Sequence, residues 1–270
     1  MINISFVSMT QGNVIALKRT LDSLKNICNE FIIGSICVFE EDEKIIESYR
    51  SEYNLKVIKY PFDYIFKNGF ASILNDLSTY ATDDLCLYLN VGEVPDGKEA
   101  ALRLINEKFP NYNCYAINHG TEKHTWYRLW NKNQVEWRGI LHEELYPRED
   151  LKIIRCPYYI FQFKDTDKDS DPLKAAVYNS VKELVYFRNY MRLIEEPEIQ
   201  KWTNEYWIKF AEEQYNSMKE RLLKKGKQYE AFKLGDINMF LKEISDSDYF
   251  KNERFDSSIL IEFQNSYKSL

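Results

Sequence analysis

An apolar, β-rich run, NISFVSM (residues 3–9), stands near the start of the chain and is followed by Val14, Leu17, Leu21 and Leu24. Their spacing of three and four residues lays one apolar face along a helix. The same order recurs: FIIGSICVF (31–39) has strand character, Ile45, Ile46, Tyr49 and Tyr53 mark a second helix, and NLKVIKY (54–60) is a strand ended by Pro61. Phe70, Ile73, Leu74 and Leu77 form another helical stripe, and DLCLYLN (84–90) is a continuous apolar run of the kind expected of a strand buried on both faces. Strands alternating with helices predict a parallel sheet. Ligands bind beyond the carboxyl ends of such strands, so chemistry is expected in the loops that start at Met9, Phe39, Tyr60 and Asn90.

A further helix carries Leu102, Ile105 and Phe109, and the pattern then shortens to β-like pieces: NCYAINH, TWYRLW, QVEWRG and YYIFQF. These predict an added antiparallel region. The polar run KDTDKDSD (164–171) reads as a boundary, with Asp171 and Pro172 as cap and first position of long helical stretches that reach about Lys225 and close at Gly226. The aromatic residues there, Tyr186, Phe187, Tyr190, Trp202, Tyr206, Trp207 and Phe210, fit a small packed bundle better than a ligand surface. The expected architecture is α/β, a mostly parallel sheet with an antiparallel addition over residues 1–165 and an α-helical region over 166–270.

Composition narrows the classes. A hydrophobic fraction of 44% with 29% charged residues is ordinary for a globular protein, and no apolar run approaches the roughly 20 residues of a membrane span. The opening MINISFVSMT lacks a basic leader and a cleavage site, which predicts a buried first strand and a cytoplasmic protein. Five scattered cysteines, Cys28, Cys37, Cys86, Cys114 and Cys156, suit buried thiols better than disulfides or a zinc site. A net charge of -6 gives no general attraction for nucleic acid, and RLLKKGK (221–227) reads first as a solvated helix end.

Three stretches taken in order, ISFVSMTQGNVIALKRTLDSL, FASILNDLSTYATDDLCLYLNVGEV and YRLWNKNQVEWRGILHEEL, resemble the family 2 glycosyltransferases of the GT-A fold, in the bacterial branch with a helical C-terminal extension. The likeness covers about the first 165 residues, and FRNYMRL (187–193) continues it less specifically. The carrying motif is Arg128, Leu129, Trp130, Trp137, Gly139, His142 and Glu143. What the resemblance implies is transfer of a sugar from a UDP- or GDP-linked donor to a hydroxyl-bearing acceptor of unknown identity, with inversion at the anomeric carbon. The chain departs from the family at two places. Where relatives carry D-A-D-E, it has Asn90, Val91, Gly92 and Glu93, and after the second strand FEEDEK replaces an acidic loop with a Gly-Ser pair. The aspartates of that turn hold a divalent cation against the donor diphosphate, so Mn2+ or Mg2+ is expected to bind weakly or not at all here.

The resemblance implies roles residue by residue. Glu143 is the candidate base that removes the acceptor proton, with Glu144 as competitor, and His142 is a candidate catalytic group or metal ligand beside Glu93. Thr10, Gln11, Asn13, Glu40, Asn75 and Asn90 fall on the donor side. Arg128 and Arg138 could bracket a phosphate or serve in ordinary ion pairs, and Trp130 and Trp137 could stack on a sugar or seal the antiparallel region. Asn13 also suits a helix N-cap, and Asn75 a buried hydrogen bond. Two alternatives stay open: a protein of the same fold that binds a nucleotide or glycan without turnover, and a transferase acting on a protein side chain or a modified base.

Overall fold

The structure, a computed structural model, describes residues 3–10, 12–36, 40–60, 62–96, 112–119, 125–140, 143–148 and 155–165, and towards the C-terminus 186, 189–190, 192–201, 203 and 205–224. The chain divides into two compact units, one of Met1–Tyr60, Ala71–Arg138 and Glu143–Ser170, the other of Pro61–Phe70, Gly139–His142 and Asp171–Leu270.

The first unit is α/β, with a mostly parallel half and an antiparallel half in one sheet. Strands β1 (Ile4–Thr10), β2 (Glu30–Ile36) and β3 (Leu55–Tyr60) run parallel, and β4 (Leu85–Leu87) lies parallel to β1 on its other side. Four further strands extend the sheet: β5 (Glu93–Asp96), β6 (Cys114–His119), β7 (Thr125–Asn131) and β10 (Arg155–Asp165), in the order β3-β2-β1-β4-β7-β6-β10-β5. Strand β7 pairs antiparallel with both β4 and β6, and β10 runs parallel to β6. A separate antiparallel ribbon joins β8 (Val135–Arg138) to β9 (Glu144–Pro147).

Helix α1 (Val14–Leu24) forms where the apolar spacing predicts it and buries Ala16, Leu17, Thr20, Leu21 and Leu24. Asn13 caps it, its side-chain oxygen accepting from the Ala16 amide at 3.1 Å. Helix α2 (Glu40–Ser48) ends in a 3₁₀ turn, Tyr49–Ser51. These helices and the sheet enclose a core of Ile4, Phe6, Leu17, Leu21, Phe31 and Ile33, among others. The buried cysteines Cys28, Cys86 and Cys114 are free thiols, and burial pushes the Cys86 thiol up to about 12. Cys37 and the Cys156 side chain lie outside the described residues.

The run DLCLYLN forms a shorter strand than its apolarity predicts. Only Leu85–Leu87 pairs in the sheet as β4. The backbone then leaves the β1 ladder: the Ser8 hydroxyl donates to the Leu89 carbonyl at 2.6 Å, and the Tyr88 amide donates to the Arg128 carbonyl at 2.8 Å. The expected helix of Leu102, Ile105 and Phe109 lies outside the described residues, as do Asp171, Pro172, Phe187, Trp202 and Gly226.

In the second unit, α3 (Phe62–Thr79), whose first part up to Phe70 belongs here, breaks at Gly69 (φ 73°). A Cβ there would lie 2.7 Å from the Ile140 Cα, so both the backbone angle and the close approach require glycine. Asn189 donates to the Ile140 carbonyl at 3.4 Å. Tyr190 and Leu193 are buried, and Tyr190 meets the rings of Tyr186 and Phe210. After α4 (Pro197–Gln200), α5 (Glu205–Lys224) brings Tyr206, Trp207 and Phe210 into mutual ring contact, with Tyr206 exposed at 63%. Among the described residues no helix is long and apolar enough to cross a membrane.

Candidate functional site

The turn that follows β4 is held from three sides. Asn90 to Glu93 closes with the Glu93 amide donating to the Asn90 carbonyl at 2.9 Å, and Gly92 takes φ 98°, a left-handed conformation that a side chain would strain. From α1, the Thr20 hydroxyl accepts from the Gly92 amide at 2.9 Å and donates to the Glu93 carbonyl at 3.0 Å. Ser8 of β1 secures Leu89, and Arg128 of β7 makes an ion pair with Glu93 in which both side chains are buried.

Around that pair four side chains form a closed ring. The Tyr88 hydroxyl donates to Asn90 Oδ1 at 2.6 Å, and Asn90 Nδ2 donates to Glu93 Oε1 at 2.8 Å. Glu93 Oε2 accepts from the Asn90 backbone amide at 2.7 Å and from Arg128 Nη1. The Arg128 guanidinium lies 5.3 Å from the centre of the Tyr88 ring, within cation–π range. Asn90 is the exposed member.

Glu143 is half-buried, immediately before β9. Burial pushes its carboxyl up to about 7, against the lowering effects of its own backbone amide and of the Arg128 charge. Arg128 therefore acts on two carboxylates, Glu93 by direct pairing and Glu143 through its field. Glu144 stands opposite Arg138 in the β8–β9 register. Arg138 donates to Glu136 at 2.7 Å and lies 5.7 Å from the Tyr146 ring centre.

The other sequence candidates fall as follows. Thr10, at the end of β1, is buried, and its hydroxyl accepts from the Gly12 amide at 3.2 Å. Beside it in register, Ser35 of β2 has a buried hydroxyl with no hydrogen-bond partner among the described residues. Trp130 and Trp137 are both buried and meet edge to face at 5.3 Å, an arrangement that seals the antiparallel region. Asn75 spans from α3 to the ribbon: its Nδ2 donates to the Trp137 carbonyl at 2.7 Å, and its Oδ1 accepts from the Trp137 amide at 2.9 Å. Gln11, His142 and the Glu40 side chain lie outside the described residues. Tyr88, Ser8 and Thr20, which brace the turn, were not anticipated. Only Thr20 carried a signal, as a polar residue on the apolar stripe of α1.

Because both Asn75 hydrogen bonds go to one backbone residue, Asn75→Ala leaves a buried amide and carbonyl without partners. Thermal unfolding is expected to report a loss of about 2–3 kcal/mol. An unchanged melting temperature would mean that the ribbon is held in place by other contacts.

The turn does not fit a divalent cation. Both oxygens of its single carboxylate already face nitrogen donors, one of them a guanidinium, and among the described residues no group of three or more His, Cys, Asp or Glu converges.

No protein-family model matches the chain, and no curated protein matches it in sequence. Among solved structures, S. aureus TarS 1-349 in complex with UDP-GlcNAc is 13% identical over 90% of this chain and 81% of that one, with a TM-score of 0.43. S. aureus TarS 1-349 alone is 11% identical, covering 98% and 79%, with a TM-score of 0.42. Glucosyl-3-phosphoglycerate synthase from Mycobacterium tuberculosis, in complex with Mn2+, UDP and phosphoglyceric acid, is 9% identical over 45% of this chain and 44% of that one, with a TM-score of 0.34.

Proposed function

We propose that this chain is a GT-A-type glycosyltransferase that moves a sugar from a nucleoside-diphosphate donor to a hydroxyl acceptor with inversion. One observation carries this reading: Arg128 pairs with Glu93 in the turn after β4 and also bears on Glu143, so the turn and Glu143 belong to one electrostatic neighbourhood. In the proposed reaction the Glu143 carboxylate takes the proton from the acceptor hydroxyl as its oxygen attacks the anomeric carbon. The glycosidic bond to the diphosphate breaks, and the nucleoside diphosphate leaves on the opposite face. A carboxyl raised to about 7 is half ionised near neutral pH and is a stronger base than an ordinary glutamate.

On the donor side, the reading assigns the nucleotide to the carboxyl edge of β1 and β2, where Thr10 and the buried Ser35 hydroxyl lie, with Asn90 offered to a ribose or sugar hydroxyl. Asn13 and Asn75 serve there by holding the backbone, Asn13 as the α1 cap and Asn75 as the ribbon clamp. Calorimetry with UDP, GDP and their sugars tests the assignment: one base is expected to give heat and a raised melting temperature. Absence of both with millimolar ligand would rule the donor site out.

A further inference from the structure

We propose that the turn after β4 carries its own cation: the Arg128 guanidinium, fixed on Glu93, stands in for a divalent metal, so that a nucleoside diphosphate binds here without one. The inference rests on the donor reading above and goes beyond it to the means of charge control.

The argument is one of charge and closure. A divalent ion on two carboxylates makes a neutral unit, and one guanidinium on one carboxylate makes a neutral unit as well. Arg128 and Glu93 are 3% and 5% exposed at their side chains, so their attraction is little screened by water. Arginine suits the place because its charge cannot be titrated away and its planar fork keeps a fixed geometry. The Tyr88 ring covers the guanidinium, and Asn90 fills the remaining oxygen of Glu93. A metal entering this turn would have to expel Arg128 from the carboxylate and leave a buried guanidinium without its counter-ion. Asn90, where relatives of the resembling family carry an acid, donates to Glu93 from its side chain; an aspartate there would set a second anion against the first.

Three measurements on the full chain test this. Mn2+ titration followed by the electron paramagnetic resonance of the free ion is expected to find no stoichiometric binding at micromolar metal. One tightly held Mn2+ per chain, lost in Glu93→Gln, would overturn the proposal. Calorimetry with UDP and GDP is expected to give the same affinity for the bound nucleotide in EDTA and in Mn2+. Tightening by about tenfold or more on adding Mn2+ would overturn the cation role of Arg128 and leave the transferase reading intact, whereas binding of neither nucleotide in either buffer would overturn both.

The third measurement turns on a sign. If Glu93 is a metal ligand, Glu93→Gln weakens nucleotide binding. If Glu93 is the counter-ion of Arg128, the same change leaves the guanidinium unopposed and strengthens binding in EDTA severalfold. Circular dichroism establishes that the variant is folded. Should it not fold, the Mn2+ titration and the EDTA comparison decide the matter on the wild-type chain.

Discussion

Replacement of Glu143 by Gln is expected to lower the proposed sugar transfer by about a hundredfold to ten-thousandfold, the usual range for loss of a general base. Nucleotide binding survives, because the amide keeps the size and hydrogen bonding of the acid. Mass spectrometry of a glycosylated acceptor measures the first and calorimetry the second. Transfer equal to wild type would remove Glu143 from the mechanism and direct attention to Glu144. Intact donor binding with no transfer to any acceptor, in wild type as in the variant, would favour a binding protein of the same fold. The same substitution has a signature in stability. The Glu143 carboxyl is raised from about 4.5 to about 7 by folding, so the fold opposes its ionisation. Stability falls as pH rises through that window and stays reduced above it. Glu143→Gln escapes the effect and is expected to melt higher than wild type at pH 8, by about 1–2 kcal/mol after allowance for partial exposure, and equally at pH 4. Activity and stability thus move in opposite directions at one residue, as expected where a base is held in an environment that disfavours its charge.

Arg128→Met produces the largest expected loss of stability. It leaves Glu93 buried with a charge that, among the described residues, only the Asn90 donors face, and breaking a buried pair from one side costs about 3–5 kcal/mol. For a chain of this size that corresponds to a melting temperature lower by roughly 10 °C. Adding Glu93→Gln to the same chain removes the stranded charge and is expected to recover most of the loss. The two single variants and the double variant therefore form a cycle whose coupling energy measures the pair. Additive losses would mean that the two side chains contribute independently.

These effects also mark what could be read along the chain. Helix α1 was legible because its information is local: apolar spacing, then Asn13 as cap, all within twelve residues of one another. The departure at the turn was legible too, as Asn90 and Gly92 where the resembling family has two aspartates, with Glu93 as the one acid kept. What the spacing could not reveal is that Glu93 finds its partner on β7, 35 residues away, through an antiparallel pairing of β4 with β7 that no local pattern encodes. For the same reason the sequence leaves Asn75 open between ligand contact and hydrogen bond: the Trp137 backbone that its amide meets lies 62 residues away. Strands β5 and β9 passed unnoticed because each has only four residues with a proline among them, whereas the equally short β8 alternates cleanly along its length.

The second unit takes its residues from three places: Pro61–Phe70, Gly139–His142 and Asp171 onward. A ribosome delivers these in that order, with about a hundred residues between the first and the last. At roughly 5–20 residues per second the early piece waits about 5–20 s before the third piece of its unit begins to emerge. Gly69, whose shape answers to Ile140, is therefore made long before the backbone it must accommodate. The parallel strands β1 to β3, complete by Tyr60, can pair with one another by then, and β4 joins β1 about 25 residues later. These strands can thus begin the sheet as the chain emerges, whereas the second unit is obliged to wait for the segment from Asp171 onward before it can close.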